Sequence, residues 1–353
     1  MMKKSISLLL LFISFNLFYG QIEANKNYLI STVAFYNVEN LFDTLDDPNT
    51  WDDDRTPQGK DKWTNAIYEK KLKNIAKVIN DIGSDLTGTS PTIIGLCEVE
   101  NKKVLNDLIN TKLLRESNYG IIHYDSPDER GVDVAMLFKK NRFVPVSTNT
   151  YPLIFKRKDG SNDYTRDHLV ISGNLDNDKV HIIINHWPTR RGGQMESEKK
   201  RILAGLLNKK IIDSIFKINP YAKIINMGDF NDNPDDKSIK PTLKTVDKKN
   251  KIKNFELYNT SEELYKKGYG SYKYRGKWFM LDQLMISKNL IDDQNGLFFL
   301  KASVYNKKYI INPEGKYEGY PFKSFAGGKF LNGYSDHFPI YLYLAKSSNI
   351  QYD

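Results

Sequence analysis

A chain of 353 residues with 40% hydrophobic and 27% charged side chains can bury a sizeable core, which excludes disorder over most of its length. The 52 basic and 43 acidic residues leave a net charge of +9, which favours a polyanionic partner or surface without identifying a fold or a substrate. With Cys97 as the single cysteine, an internal disulfide is excluded, and a strand-like setting marks it as a packing residue rather than a catalytic thiol.

Residues 1–20 read as a secretory signal. Lys3 and Lys4 precede an apolar stretch, Ile6 to Phe18, and Gly20 offers a cleavage point. The stretch falls short of the ~18 residues a membrane span needs, so no stable membrane anchor is expected. Cleavage removes Lys3 and Lys4, taking the charge from +9 to +7. Residues 21–353 are then expected to form one secreted or periplasmic domain, a monomer.

Thr32 to Tyr36 is a β-branched and aromatic run, hence a strand. Asp43 to Lys62, rich in Asp, Pro and Thr, is a loop. Ile67, Leu72, Ile75 and Ile79 recur at helical spacing, predicting a helix over 63–82 that ends before Gly83. Ile93 to Cys97 is a buried strand, Val104 to Ile109 a short helix and Tyr119 to Tyr124 a strand. Val132 to Phe138 and Phe143 to Val146 read as a hairpin, as do Asp167 to Leu175 and Lys179 to Ile184. A long amphipathic helix spans 196–216, and strands follow at 222–227, 280–286 and 338–344. Strands in adjacent pairs, separated by a few long helices, predict a layered α/β sandwich with mixed sheets.

Metal-competent residues recur where these strands end. Asn37, Glu39 and Asn40 follow the first, and Glu98 follows the second. Asn185-His186-Trp187-Pro188 ends another, and Gly228-Asp229-Phe230-Asn231 another. Asp282 interrupts an apolar strand, and Ser335-Asp336-His337 precedes the last. Any one of these serves equally well as a turn or a satisfied core residue. Six clusters at six strand ends need another explanation. Carboxylates and carboxamides without thiolates suit a hard cation, Mg²⁺ or Mn²⁺, better than zinc. Hard cations beside two histidines fit phosphate-ester hydrolysis.

The order Asn-Val-Glu, Glu after a strand, Asn-His, Gly-Asp-Phe-Asn, Leu-Asp and Ser-Asp-His resembles the endonuclease/exonuclease/phosphatase superfamily, with its deoxyribonuclease-like and exonuclease-III-like branches. The resemblance runs from about Val33 to Leu344. It implies a four-layer α/β sandwich, two sheets packed face to face with helices outside. It implies metal ligation by Glu98, Asn37, Glu39 and Asp336, through Mg²⁺ or Mn²⁺, with Ca²⁺ as a structural or synergistic ion. It casts Asp229 and Asn231 as the pair that orients water and phosphate. His337 becomes the catalytic histidine oriented by Asp282, and His186 faces it across the phosphate.

By the same resemblance Arg130 and Arg166 meet phosphate, and Glu129 orients His186. Arg190, Arg191, Gly192 and Gly193 follow His186 and suit a nucleic-acid backbone, though a solvated loop is an equal reading for Arg191. Glu100 departs from the deoxyribonuclease pattern, which has an arginine there, and so leaves DNA-binding mode open. The function expected is a secreted metal-dependent phosphodiesterase, an endonuclease cutting DNA, with RNA as a further substrate. The rival reading is a family phosphatase or phosphodiesterase acting on lipids, inositol phosphates or small nucleotides, because core motifs are shared across substrates. An inactive nucleic-acid-binding protein is disfavoured, since every mapped catalytic position is filled.

Overall fold

The computed structural model describes residues 27–291 and 296–348; the expected signal segment 1–20 lies outside the described residues. Two large sheets dominate. In chain order their strands are β1 (Asn27–Leu41), β2 (Ile93–Val99), β3 (Tyr119–His123), β4 (Asp133–Lys139), β5 (Phe143–Tyr151), β6 (His168–Leu175), β7 (Asp178–His186) and β8 (Lys223–Asp229). Short β9 (Thr245–Val246) and β10 (Leu257–Asn259) follow, then β11 (Asp282–Ser287), β12 (Phe298–Val304) and β13 (Ile340–Ser348). One sheet runs β12-β13-β1-β2-β4-β3 and the other β9-β10-β11-β8-β7-β6-β5.

Apart from the short edge pair β9 and β10, which is also parallel, each sheet is antiparallel except for a parallel central pair, β1 with β2 and β7 with β8. Such strands are buried on both faces, and the sequence shows it. Ile182 and Ile184 join the cluster between the sheets, whereas Ile183 joins the one under the long helix α2 (Gln194–Ile218). The same alternation places Ile225 and Met227 on one face and Ile224 on the other. On the far side α1 (Asn65–Asp81), capped by the Thr64 side chain, buries Ile75 and Ile79 against the first sheet. Helix, sheet, sheet and helix make the expected four layers. The sheets approach so closely that a Cβ at Gly95 would lie 2.8 Å from Met227 Sδ.

The hairpin Asp176-Asn177 between β6 and β7 forms as expected, with both residues at positive φ (49° and 65°). The other expected hairpin does not. β4 pairs with β2 and β3, while β5 pairs only with β6 across the sandwich. The reason lies in burial: every residue of β4 is buried, as in a central strand, whereas Val144 and Val146 of β5 are 58% and 64% exposed, as on an edge. Arg142, paired with Asp176, pins the corner where the chain changes sheets. Among the described residues no helix is long and apolar enough to cross a membrane.

Candidate active site

The C-terminal ends of the two parallel pairs open at the same edge of the sandwich. Asn37 stands beside Cys97 on β1 and β2; His186, Asp229 and Asp282 stand abreast on β7, β8 and β11. The sheets are tied there by Asn37 Nδ2, which donates to Asp229 Oδ2 at 3.0 Å. Pairing of β1 with β2 slips between Asn37 and Leu41, and Glu39, Asn40 and Glu98 take positive φ of 52–60°. Asn231 does the same after β8, at 52°. Left-handed backbone at a non-glycine residue costs on the order of 1 kcal/mol or more, and it concentrates at functional sites. Here it turns the Glu98 and Asn231 side chains, which would otherwise follow the pleat, into one cavity.

His337 forms one wall. Its Nδ1 lies 2.6 Å from Asp282 Oδ2, and its ring sits 4.9 Å from that of Tyr272. Ser335 Oγ donates to the Asn37 carbonyl at 2.7 Å and accepts from the His337 amide, locking the turn to β1. Burial opposes a charge on this imidazole, but Asp282, Asp229 and Asp336 outweigh it and hold its pKa well above the usual value. That shift favours the protonated, charged form of His337.

His186 forms the other wall and is its electrostatic opposite. Burial, followed by the positive charges of Arg166, Arg130 and His337, drives its pKa well down. Neither ring nitrogen has a hydrogen-bond partner among the described residues. Its Nε2 lies 3.9 Å from both Glu98 Oε1 and Asp229 Oδ2, and Asp229 Oδ2 is likewise 3.9 Å from His337 Nε2. Asp229 thus sits between a neutral and a charged imidazole. Burial and nearby Asp282 raise it to about 6, while its Oδ1 accepts from the Asn231 amide at 2.9 Å.

Glu98 uses Oε2 to accept from the Asn40 amide at 3.0 Å, leaving Oε1 directed toward His186. Burial and the neighbouring Glu39 push Asp336 up to about 7. The carboxylates of Glu98, Asp229 and Asp336 line this cavity, oxygen donors of the kind a hard divalent cation takes. Glu98 and Asp336 are the residues that fit it. Cys97 falls within 4.8 Å of His186 and Asp229 ligand atoms; burial pushes its thiol pKa up, and a soft sulfur is a poor match to a hard cation.

Glu39 departs from its expected place as a ligand. Its Oε2 accepts from the Ser324 amide and hydroxyl at 2.6 and 2.8 Å, its Oε1 from the Phe325 amide at 3.3 Å, and buried Lys71 stands 3.9 Å away. It braces the loop leading to Asp336 and His337. Glu129 does not reach His186; it pairs with Arg157. Arg166 is buried between Asp128 (2.9 Å) and the Trp187 carbonyl (2.8 Å), with Nε unpartnered among the described residues. Arg130 leaves a buried Nη2 in the same state. Arg190 is not the free cation its place after His186 implied, since Asp232 and Asp236 hold it at 3.1 and 2.7 Å. Exposed Arg191 is the one on the cavity rim without an ion pair among the described residues.

The sequence reading missed Asp232, a fully buried hub for Arg190, Arg201 (2.8 Å) and Ser238 (2.6 Å). It is the second Asp of Gly-Asp-Phe-Asn-Asp, and three cationic or hydroxyl donors converging on it from distant positions leave no local pattern. Tyr272 was missed as well, because its hairpin lies far from His337 in sequence.

Residues 32–346 match the Endonuclease/Exonuclease/phosphatase family. No curated protein sequence matches the chain. Among solved structures it is similar to D. rerio TDP2 complexed with single strand DNA product (14% identity, 89% of this chain and 98% of that one, TM-score 0.52). It is also similar to an endonuclease/exonuclease/phosphatase family protein from Bacteroides thetaiotaomicron (15%, 93% and 99%, 0.53). A third is the mannosyl-6-phosphatase Bt3783 of the same species (15%, 89% and 99%, 0.51).

Proposed function

Since the chain belongs to the endonuclease/exonuclease/phosphatase family, whose members are phosphoric ester hydrolases that generally depend on a divalent metal, we propose that it is a secreted nuclease hydrolysing phosphodiesters in DNA, with RNA as a second polymer. One observation carries this reading. The carboxylates of Glu98, Asp229 and Asp336 line one cavity with the unpartnered His186 ring, and Arg130 and Arg166, whose buried Nη2 and Nε lack acceptors among the described residues, line the adjoining cavity. A cation and a phosphate together satisfy both sets, whereas either alone leaves one orphaned.

When bound at Glu98 and Asp336, Mg²⁺ or Mn²⁺ supplies charge to polarise a phosphoryl oxygen and stabilise the leaving oxygen. The protein's own groups do the rest. Asp229, poised near pH 6 and fixed by Asn37 and Asn231, takes the proton of the attacking water. His337, kept protonated by Asp282, donates to the phosphoryl oxygens as charge builds. Neutral His186 faces it across the phosphate as the second proton-handling group.

Polymer rather than monomer is favoured by a second cavity of about 450 Å³, which meets the active-site cavity of about 600 Å³ at Thr189 and Arg191. Its rim carries Arg130, Lys200, Trp51 and Tyr164, cations and rings suited to further nucleotides. Secretion rests on the Lys3–Gly20 segment. The mannosyl-6-phosphatase of like fold favours a second reading, a small-phosphate hydrolase. Purified protein assayed on plasmid DNA, RNA, sphingomyelin, inositol phosphates and mannose 6-phosphate, with Mg²⁺, Mn²⁺, Ca²⁺ or EDTA, decides between them. Metal-dependent DNA cleavage is expected; turnover confined to a monophosphate would replace the nuclease reading.

A further inference from the structure

The cavity has one wall that the hydrolytic chemistry does not use. Residues Tyr272–Tyr274 and Lys277–Phe279 form a hairpin, turned at Arg275-Gly276 with φ of 46° and 81°. Tyr272 pairs with Phe279, Lys273 with Trp278 and Tyr274 with Lys277. Alternation then gives the hairpin two different faces. One packs on the body of the protein: Trp278 stacks on Phe338 at 5.6 Å, and Lys273 lies over Trp278 and Tyr320. The other face presents Tyr272, Tyr274 and Phe279 to the cavity that holds Glu98, Asp229 and His337.

Three rings in a row beside the reacting centre call for an occupant. Tyr274 is 51% exposed, with the Arg275 guanidinium 5.3 Å from its ring centre. Residues 272–279 contain no acidic side chain, and Arg275 and Lys277 flank the cavity-facing rings, while Arg190, held by Asp232 and Asp236, lies over Phe279. A sugar ring would also lie on aromatic faces, yet its hydroxyls need free amides or carboxylates. Both ends of the Gln194 amide are spent, on Asp232 and Arg201, and the Asn231 amide nitrogen is spent on the Trp187 carbonyl. Rings flanked by cations, with no spare amide N–H donor, suit a flat π-system attached to phosphates.

Resting on the nuclease reading above, we propose that this hairpin is a stacking platform for a nucleobase adjacent to the scissile phosphate, so that the substrate is single-stranded or locally unpaired nucleic acid. A paired base inside a duplex offers no free face, whereas an unpaired one stacks on an aromatic side chain whatever its identity. Tyr272 couples the platform to the chemistry, because its ring is the one packed on His337.

The test uses full-length protein carrying Glu98→Gln, Mg²⁺, and a single-stranded oligonucleotide containing 2-aminopurine, whose fluorescence falls on stacking. Quenching is expected, lost with Tyr274→Ala and restored with Tyr274→Phe, since only the ring is required. In the otherwise wild-type enzyme Tyr274→Ala should raise KM for the single strand roughly tenfold or more while kcat changes little. A duplex of the same sequence should be cut at least tenfold less efficiently. Unquenched fluorescence, or an unchanged KM in Tyr274→Ala, would overturn the platform and leave the nuclease reading standing. Hydrolysis of mannose 6-phosphate but of no nucleic acid, with Tyr274→Ala raising that KM, would overturn both and identify a sugar platform.

Discussion

Two buried imidazoles stand 3.9 Å from the same oxygen of Asp229 and are shifted in opposite directions, His337 toward its charged form and His186 toward its neutral one. The His337 wall is anionic: Asp282 is bonded to the ring, and Asp336 precedes it in the chain. The His186 wall is cationic, because Arg166 and Arg130 lie behind the ring and no carboxylate bonds to it. Burial alone would neutralise both rings. What separates them is the charge each sheet edge delivers, so acid and base roles are divided by environment rather than by residue type.

The largest expected effect tests what the walls share. Glu98→Gln, or EDTA with the wild type, should lower turnover by about three orders of magnitude with the fold retained, since both walls lose the charge they face. Normal rates in either would end the metal-site assignment. Next come the walls taken singly. His337→Ala and His186→Ala should each lower kcat by about 10²–10⁴ with little change in substrate binding, read by steady-state kinetics. Rates near wild type in both would return the histidines to a structural role.

Asp282→Asn sharpens the contrast. His337 has a folded pKa above its unfolded one, so its stabilisation is complete below about pH 6.5 and is lost as pH rises through the raised folded value. In metal-free protein, unfolding free energy across pH 6–9 should fall for the wild type and flatten for Asp282→Asn. The His337 resonance should titrate at lower pH in the variant; an unmoved titration would remove Asp282 as the cause.

The rim gives a smaller effect. On catalytically silent protein, Arg191→Ala should reduce the log–log salt slope of DNA binding by about 0.7–0.9, one phosphate contact. Arg190→Ala should leave the slope alone and lower stability, because Asp232 and Asp236 lose their partner. The reverse pattern would restore Arg190 as the phosphate contact. Smallest in consequence for activity is His168, buried beside Trp187 and lowered to about 4 by burial. It stabilises fully above about pH 6.5, and that contribution, about 3 kcal/mol at most, is lost as pH falls toward 4. His168→Gln should flatten acid unfolding in this window without altering neutral-pH turnover.

Most of the strands were legible because their signals are local. β-branched runs mark β1, β2, β7 and β8, and the Asp176-Asn177 turn marks its hairpin. The misread pair, β4 and β5, shows the limit: a short connection predicts adjacency, but burial of both faces of β4 sent β5 to the other sheet. The site divides in the same way. Glu98, Asp229, Asp282 and His337 stand at strand ends or within motifs, and the fold brings them together. Arg190 and Glu129 satisfied the same motif logic, and the fold gave them carboxylate and arginine partners instead.

The sequence by itself determined which residues are strand, which carry ligand chemistry, and to which family their order belongs, because strand periodicity and motif order are properties of neighbours along the chain. Only the tertiary structure decided the charge of His186, the spent state of Arg190, the bracing role of Glu39 and the aromatic wall at 272–279. Each of these depends on groups that lie far away in the chain and meet only when two sheets close on one cavity. At a few ångströms in a desolvated site, such partners outweigh anything the adjacent residues supply.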